Sequence, residues 1–114
     1  MKPTPLSLHI IEAIESIKAN NLVEIEVSQL TDVTDKLIIA SGTSSRHVKS
    51  IANHLIAEMK KQHIQPVGVE GQDSGEWILV DFGDIVVHIM LPEAREFYAI
   101  EQLWALPKQE KNKG

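Results

Sequence analysis

The chain has 114 residues, 43% of them hydrophobic and 24% charged, with 11 Lys plus Arg against 16 Asp plus Glu and no cysteine. That length holds one domain and one core. The missing thiols exclude disulfides, thiolate nucleophiles and Cys-based zinc sites, and a formal charge of −5 disfavours a phosphate backbone as the main partner.

The charge is unevenly spread. Residues 107–114 hold Lys108, Lys111 and Lys113 against Glu110, leaving 8 basic and 15 acidic residues in the body, a formal charge of −7. Such a surface repels nucleic acid and suits a basic protein, although acidity also simply aids solubility. The N-terminal Met1-Lys2-Pro3-Thr4-Pro5 leads into an amphipathic segment and not an unbroken apolar run. No secretory signal or membrane span is expected, and the expected address is the cytoplasm.

Thr4 as N-cap and Pro5 at the first helical position open an expected helix. Leu6, Ile10, Ala13, Ile14 and Ile17 recur along it at helical spacing until Asn20-Asn21. Residues 22–28 read as a strand with one wet face, because Val23, Ile25 and Val27 alternate with Glu24 and Glu26. Residues 36–40 form a nearly continuous apolar run, the mark of a central strand. After Gly42-Thr43-Ser44-Ser45 a second helix carries Val48, Ile51, Ala52, Leu55, Ile56 and Met59 on one stripe. Residues 66–71 form a short strand, 76–81 and 84–91 two more, and a last helix runs from about Glu93 to Trp104. The order αββαβββα predicts an α/β fold with a single mixed β-sheet packed with helices. One domain is expected over residues 1–106, with 107–114 a disordered lysine-rich tail.

The hairpin near residue 83 gives the most informative pattern. With Phe82-Gly83 as a two-residue loop, Asp81 faces Asp84, Leu79 faces Val86, and Trp77 faces His88. One face then carries Ile78, Val80, Ile85, Val87 and Ile89, all aliphatic and so core. The other carries Trp77, Leu79, Asp81, Asp84, Val86, His88 and Met90. A helix-covered face would not hold unpaired carboxylates, and a plain solvent face would not gather Trp, Leu, Val and Met. An aromatic, a thioether and aliphatics edged by acids resemble a protein-binding hot spot. The competing reading packs Trp77 beneath the last helix against Tyr98 or Trp104.

Catalysis finds little support. Gly42 to Ser45 sits between strand and helix like an anion-binding loop, but neither the P-loop nor the dinucleotide spacing is present. A nucleotidyltransferase needs a carboxylate pair for magnesium, and no Asp-x-Asp occurs. His9, His47, His54 and His63 do not pair at zinc-ligand spacing. Ser44, His47 and Glu70 could be drawn as a triad. The simpler expectation is that Ser44 or Ser45 caps the helix while Arg46 or His47 pairs with Glu70. No cofactor or metal is expected.

Four segments together resemble the ribosomal silencing factor (Iojap-like) family. They are Gly42-Thr43-Ser44-Ser45-Arg46-His47-Val48, Gly68-Val69-Glu70-Gly71, the hairpin from Trp77 to Met90, and Tyr98 to Trp104. The resemblance spans roughly residues 5–104. It implies a nucleotidyltransferase-like fold without the active site. It also implies a translational repressor that binds the large ribosomal subunit through its protein number fourteen and blocks joining of the small subunit when nutrients are scarce. On that basis Trp77, Leu79, Val86, His88 and Met90 are the expected apolar centre of the contact. Asp81, Asp84 and Glu101 are the expected acidic partners, and Tyr98 a flanking anchor. The alternatives are a nucleotidyltransferase-like enzyme using the Gly42 turn, or a scaffold that dimerises when free through the same face.

Overall fold

A computed structural model describes residues 5–32 and 34–98. Along them run α1 (Pro5–Ser16), β1 (Asn20–Glu26), β2 (Lys36–Ser41), α2 (Ser45–Lys61), β3 (Gly68–Glu70), β4 (Trp77–Asp81), β5 (Ile85–Met90) and α3 (Pro92–Tyr98). This is the order expected from the sequence. The Thr4 cap, the end of the last helix toward Trp104 and the tail at 107–114 lie outside the described residues.

The strands form one mixed sheet in the order β1-β2-β5-β4-β3. β2 and β5 pair in parallel, and the remaining pairs are antiparallel. Both central strands are apolar runs, and every residue in them is buried, as two-sided coverage demands. The short β3 and the alternating β1 fall at the edges.

One face of the sheet packs under α1 and α2. Ile38, Ala40, Ile78, Val80, Ile85, Val87 and Ile89 meet Ile10, Ala13 and Ile14 from α1 and Val48, Ile51, Ala52, Leu55 and Met59 from α2. The tight entry into α2 depends on Gly42, whose amide donates to the Met90 carbonyl at 3.1 Å. A Cβ there would lie 2.8 Å from Val48 Cγ2 and 2.9 Å from Val48 N, so a side chain would push the helix off the sheet.

The alternation in β1 points the opposite way from a simple inside–outside rule. Ile25 sits opposite Leu37 and joins Val27, Leu37 and Val86 in a small apolar cluster away from α1 and α2. Glu24 instead sits opposite Ile38 on the helix-covered side. Its carboxylate pairs with Lys36 Nζ at 3.0 Å, where the lysine side chain is only 7% exposed. Removing Glu24 strands the buried Lys36 ammonium, whereas removing Lys36 leaves a carboxylate that water reaches, since Glu24 is exposed. Glu24→Ala is therefore expected to cost about 2 kcal/mol of folding stability, and Lys36→Met less than about 1 kcal/mol. Urea denaturation of the two variants checks this, and equal losses would show that the pair does not govern the edge.

Candidate protein-binding face

The β4–β5 hairpin turns one step later than the sequence suggested. Phe82 N donates to the Ile85 carbonyl at 2.9 Å, so the two-residue loop is Gly83-Asp84 and not Phe82-Gly83. Gly83 has a φ of 89° as the first loop residue, a conformation that favours glycine, and Asp84 N donates to the Phe82 carbonyl at 3.2 Å. The shift also lets Phe82 stay buried in the helix-side core instead of standing at an exposed tip. Trp77 consequently pairs with Met90, Leu79 with His88 and Asp81 with Val86. Each β4 residue meets a partner two positions beyond the expected one, so the two faces keep their membership.

The supposed Asp81–Asp84 opposition does not form. Asp81 Oδ1 accepts from Gly83 N at 2.7 Å, tying the turn. Asp84 is exposed in the loop, and its carbonyl accepts from Asp35 N at 2.9 Å and Lys36 N at 3.1 Å. The two carboxylates thus serve separate places.

Depth divides the remaining residues. Val86, His88 and Met90 are buried, whereas Trp77, Leu79 and Asp81 are half-buried. Of the expected contact residues on this hairpin, only these last three and Asp84 therefore reach the surface, and Val86, His88 and Met90 lie beneath it. Arg95 of α3 donates to Ser41 Oγ at 2.9 Å, and Ser41 sits opposite Met90, which places α3 at this face. The Tyr98 side chain and Glu101 lie outside the described residues.

His88 is the polar residue that makes this layer work. Trp77 Nε1 donates to His88 Nδ1 at 2.9 Å, and the rings lie 5.8 Å apart at 40°. An accepting Nδ1 on a neutral ring assigns the proton to Nε2. Burial lowers the His88 pKa from 6.5 to about 4, because desolvation penalises the charged form. Beside Trp77 a cleft of about 310 Å³ is lined by Glu70, Gly71, Trp77 and Leu79. Glu70 and Gly71 were not among the expected contact residues. The signal for Glu70 was the inward Val69 next to it in a short strand, which turns Glu70 to the other face.

The Gly42 turn is structural. Ser44 caps α2 by accepting from His47 N at 3.1 Å. The expected pairing of Arg46 or His47 with Glu70 is absent among the described residues. His47 Nδ1 instead accepts from Thr43 N at 2.9 Å, and with its proton on the other nitrogen Nε2 donates to the Ile17 carbonyl at 2.8 Å. A carbonyl left over just past the end of α1 needs a donor, and His47 supplies it. Gly75 packs against the start of α2, where a Cβ would lie 2.9 Å from the Ser45 carbonyl oxygen. Between α1 and α2, a second cleft of about 300 Å³ holds His9, Glu12, His54 and Glu58, and Ser16 Oγ lies 2.9 Å from His54 Nε2. Among the described residues no group of three or more His, Asp or Glu is placed to hold a metal ion, and no helix is long and apolar enough to cross a membrane.

What the geometry builds is an α/β domain whose sheet carries Trp77, Leu79 and Asp81 half-buried on the face away from α1 and α2. The chain belongs to the family described as ribosomal silencing factor during starvation, whose model matches residues 2–113. It is 48% identical over 94 residues to the ribosomal silencing factor RsfS of Chromobacterium violaceum, covering 82% of this chain and 77% of that one. The Haemophilus influenzae ribosomal silencing factor RsfS is 42% identical over 96 residues, covering 84% and 94%. A crystal structure of a Chromobacterium violaceum protein superposes with a TM-score of 0.88 at 44% identity, covering 95% of this chain and 90% of that one. One from Bacillus halodurans gives 0.80 at 30% identity, covering 87% and 92%. The work of the family is ribosomal silencing, and this chain is a translational repressor of that kind.

The buried imidazole makes stability depend on pH. The folded pKa of about 4 lies below the 6.5 of a free histidine, so between these values the unfolded chain holds more protons than the folded one. His88's contribution is whole above pH 6.5 and is lost as pH falls toward 4. His88→Asn, which keeps an acceptor near the Nδ1 position, removes this slope. Wild type is expected to lose up to roughly 3 kcal/mol relative to the variant across that interval. Denaturant titrations at several pH values check it; parallel curves for the two proteins would show that His88 does not stay neutral in the fold.

Proposed function

We propose that this repressor acts in the cytoplasm by docking its β4–β5 face on protein number fourteen of the large ribosomal subunit. Occupying that place sterically blocks joining of the small subunit and damps translation when nutrients are limited. The observation that carries this reading is the half-buried Trp77–Leu79 surface on a buried sheet layer, in a chain of net charge −5. Aromatic anchors on a rigid base concentrate binding energy, and an acidic body suits a basic ribosomal protein. The action is stoichiometric: one bound copy silences one subunit, with no chemical step.

The finer likeness of the scaffold to nucleotidyltransferases belongs to the same proposal. The Gly42–Ser45 turn between β2 and α2 stands where such a fold would meet a nucleotide. Here His47 is committed to Thr43 and Ile17 and Gly75 crowds the helix start, which favours a scaffolding use.

Two measurements test the reading. Trp77→Ala is expected to weaken binding to purified large subunits by about 2 kcal/mol or more while far-ultraviolet circular dichroism stays native. Asp84→Asn, at an exposed position, is expected to slow association and flatten its salt dependence with little change in stability. Saturating large subunits with the protein before adding small subunits should reduce the joined fraction in a sucrose gradient. An unchanged joined fraction at full occupancy would rule out steric blocking.

A further inference from the structure

Charge is segregated in the fold more sharply than its net value suggests. With histidine neutral, α2 holds four basic residues and one glutamate, a net +3. The other described residues hold three basic and thirteen acidic ones, a net −10. The exposed residues of α2 are Ser45, Arg46, Asn53, Ala57, Lys60 and Lys61, with Lys49 half-buried. None of them is a carboxylate or a large apolar side chain.

The cations lie along one line. At about 100° per residue, Arg46, Lys49, Asn53 and Lys60 fall within roughly 60° of one another around the helix axis. They spread over about 21 Å of its length at 1.5 Å per residue. His54, Glu58 and Gln62 turn instead toward α1, where they line the second cleft. Lys49 reaches over the β3–β4 loop, where a Cβ on Gly75 would lie 2.9 Å from its Cε, so the line stands on the flank of α2 away from α1. Lys61 pairs with Glu58 at 2.9 Å. Among the described residues the side chains of Arg46, Lys49 and Lys60 have no hydrogen-bond or ion-pair partner, although Asp73 and Glu76 stand exposed in the adjoining loop.

Helix stability does not account for this arrangement. A cation in the last turn, such as Lys60, suits the helix dipole, but Arg46 stands in the first turn, where positive charge opposes it. A merely solvated helix face mixes both signs. A protein interface gathers an aromatic or aliphatic anchor, and this line has none. Spaced cations with an amide between them suit a phosphate backbone, whose oxygens take hydrogen bonds from Arg, Lys and Asn.

We propose that the line Arg46, Lys49, Asn53 and Lys60 contacts the phosphate backbone of ribosomal RNA on the large subunit. It is a second contact, made by the helix layer across the sheet from the β4–β5 face, and it does not depend on which protein that face meets. The acidic body repels RNA at a distance, so the line adds affinity once another contact holds the chain on the ribosome.

The test measures dissociation constants of the full chain from purified large subunits across a potassium chloride series. The triple variant Arg46→Gln, Lys49→Gln, Lys60→Gln keeps a good helix former at each position. It is expected to bind about tenfold more weakly at low salt, with a log–log salt slope shallower by roughly 2, because each phosphate contact on a single strand contributes about 0.7. Arg46→Gln alone, which relieves the helix dipole, should shift the slope by about 0.7. The charge-keeping variant Arg46→Lys, Lys49→Arg, Lys60→Arg should match wild type. Unchanged slopes, or a charge-keeping variant as weak as the glutamine one, overturn the phosphate contact. Equal weakening toward isolated ribosomal protein number fourteen also overturns it, because the line would then meet protein. Failure of wild type to bind that isolated protein, with the slopes on the subunit still separated, sinks the docking reading and leaves the RNA contact standing.

Discussion

The parallel pairing of β2 with β5 is the constraint from which the other features follow. Lys36 to Ser41 runs beside Ile85 to Met90 in continuous register, and every residue of both strands is buried. Two parallel neighbours cannot be joined by a short turn, so the chain between them must travel, and α2, β3 and β4 are what it builds on the way. Burial on both faces then requires two apolar layers. The helices supply the larger one. The smaller, around Val27, Leu37 and Val86, lies on the side where the proposed contact residues stand.

Because β5 is buried throughout, His88 cannot reach solvent as a surface histidine would. A polar ring at that depth must be neutral and hydrogen-bonded, and the indole N–H of Trp77 satisfies it. The same bond removes rotamer freedom from the tryptophan, the large side chain of the proposed docking face. Ordering a large side chain before docking lowers the entropy lost on binding. A requirement of the core thus becomes preparation of the surface. Asp81 is treated similarly: its bond to Gly83 stiffens the turn and holds the carboxylate at the rim.

The order of elements and the composition of each sheet face were legible in the sequence, because period-two alternation and the α2 stripe report local geometry. The hairpin faces even survived a misplaced loop. Moving the partner of Trp77 from His88 to Met90 is a shift of two residues, and side chains repeat with that period. What stayed hidden was depth. Alternation assigns Val86, His88 and Met90 to the side of Trp77, but only the arrangement of the other layers buries the first three and leaves the fourth half open. Partners distant in sequence were also hidden. His47 was matched with Glu70 by charge, whereas its place is decided by where α1 ends, thirty positions away, at the Ile17 carbonyl. In β1 the glutamates are wet as expected, but the pairing of Glu24 with a buried lysine on the neighbouring strand was hidden.

The two kinds of side chain on the docking face would act at different stages of an encounter. At physiological ionic strength an exposed charge is felt over about 8 Å. Only carboxylates close to the contact therefore guide the final approach, and the net charge of the chain matters less than where its acids lie. Asp84 and Asp35 meet at the end of the sheet through their backbones, with both residues exposed. Trp77 and Leu79 lie farther along the same hairpin. Acids at the rim bear on the rate of association, whereas apolar area excluded from water bears on the rate of release. A repressor that works by occupying a surface needs slow release above all. Under the proposed docking, that would place the energetic weight on the indole and on the buried histidine that holds it, and would give the carboxylates the task of choosing a basic partner.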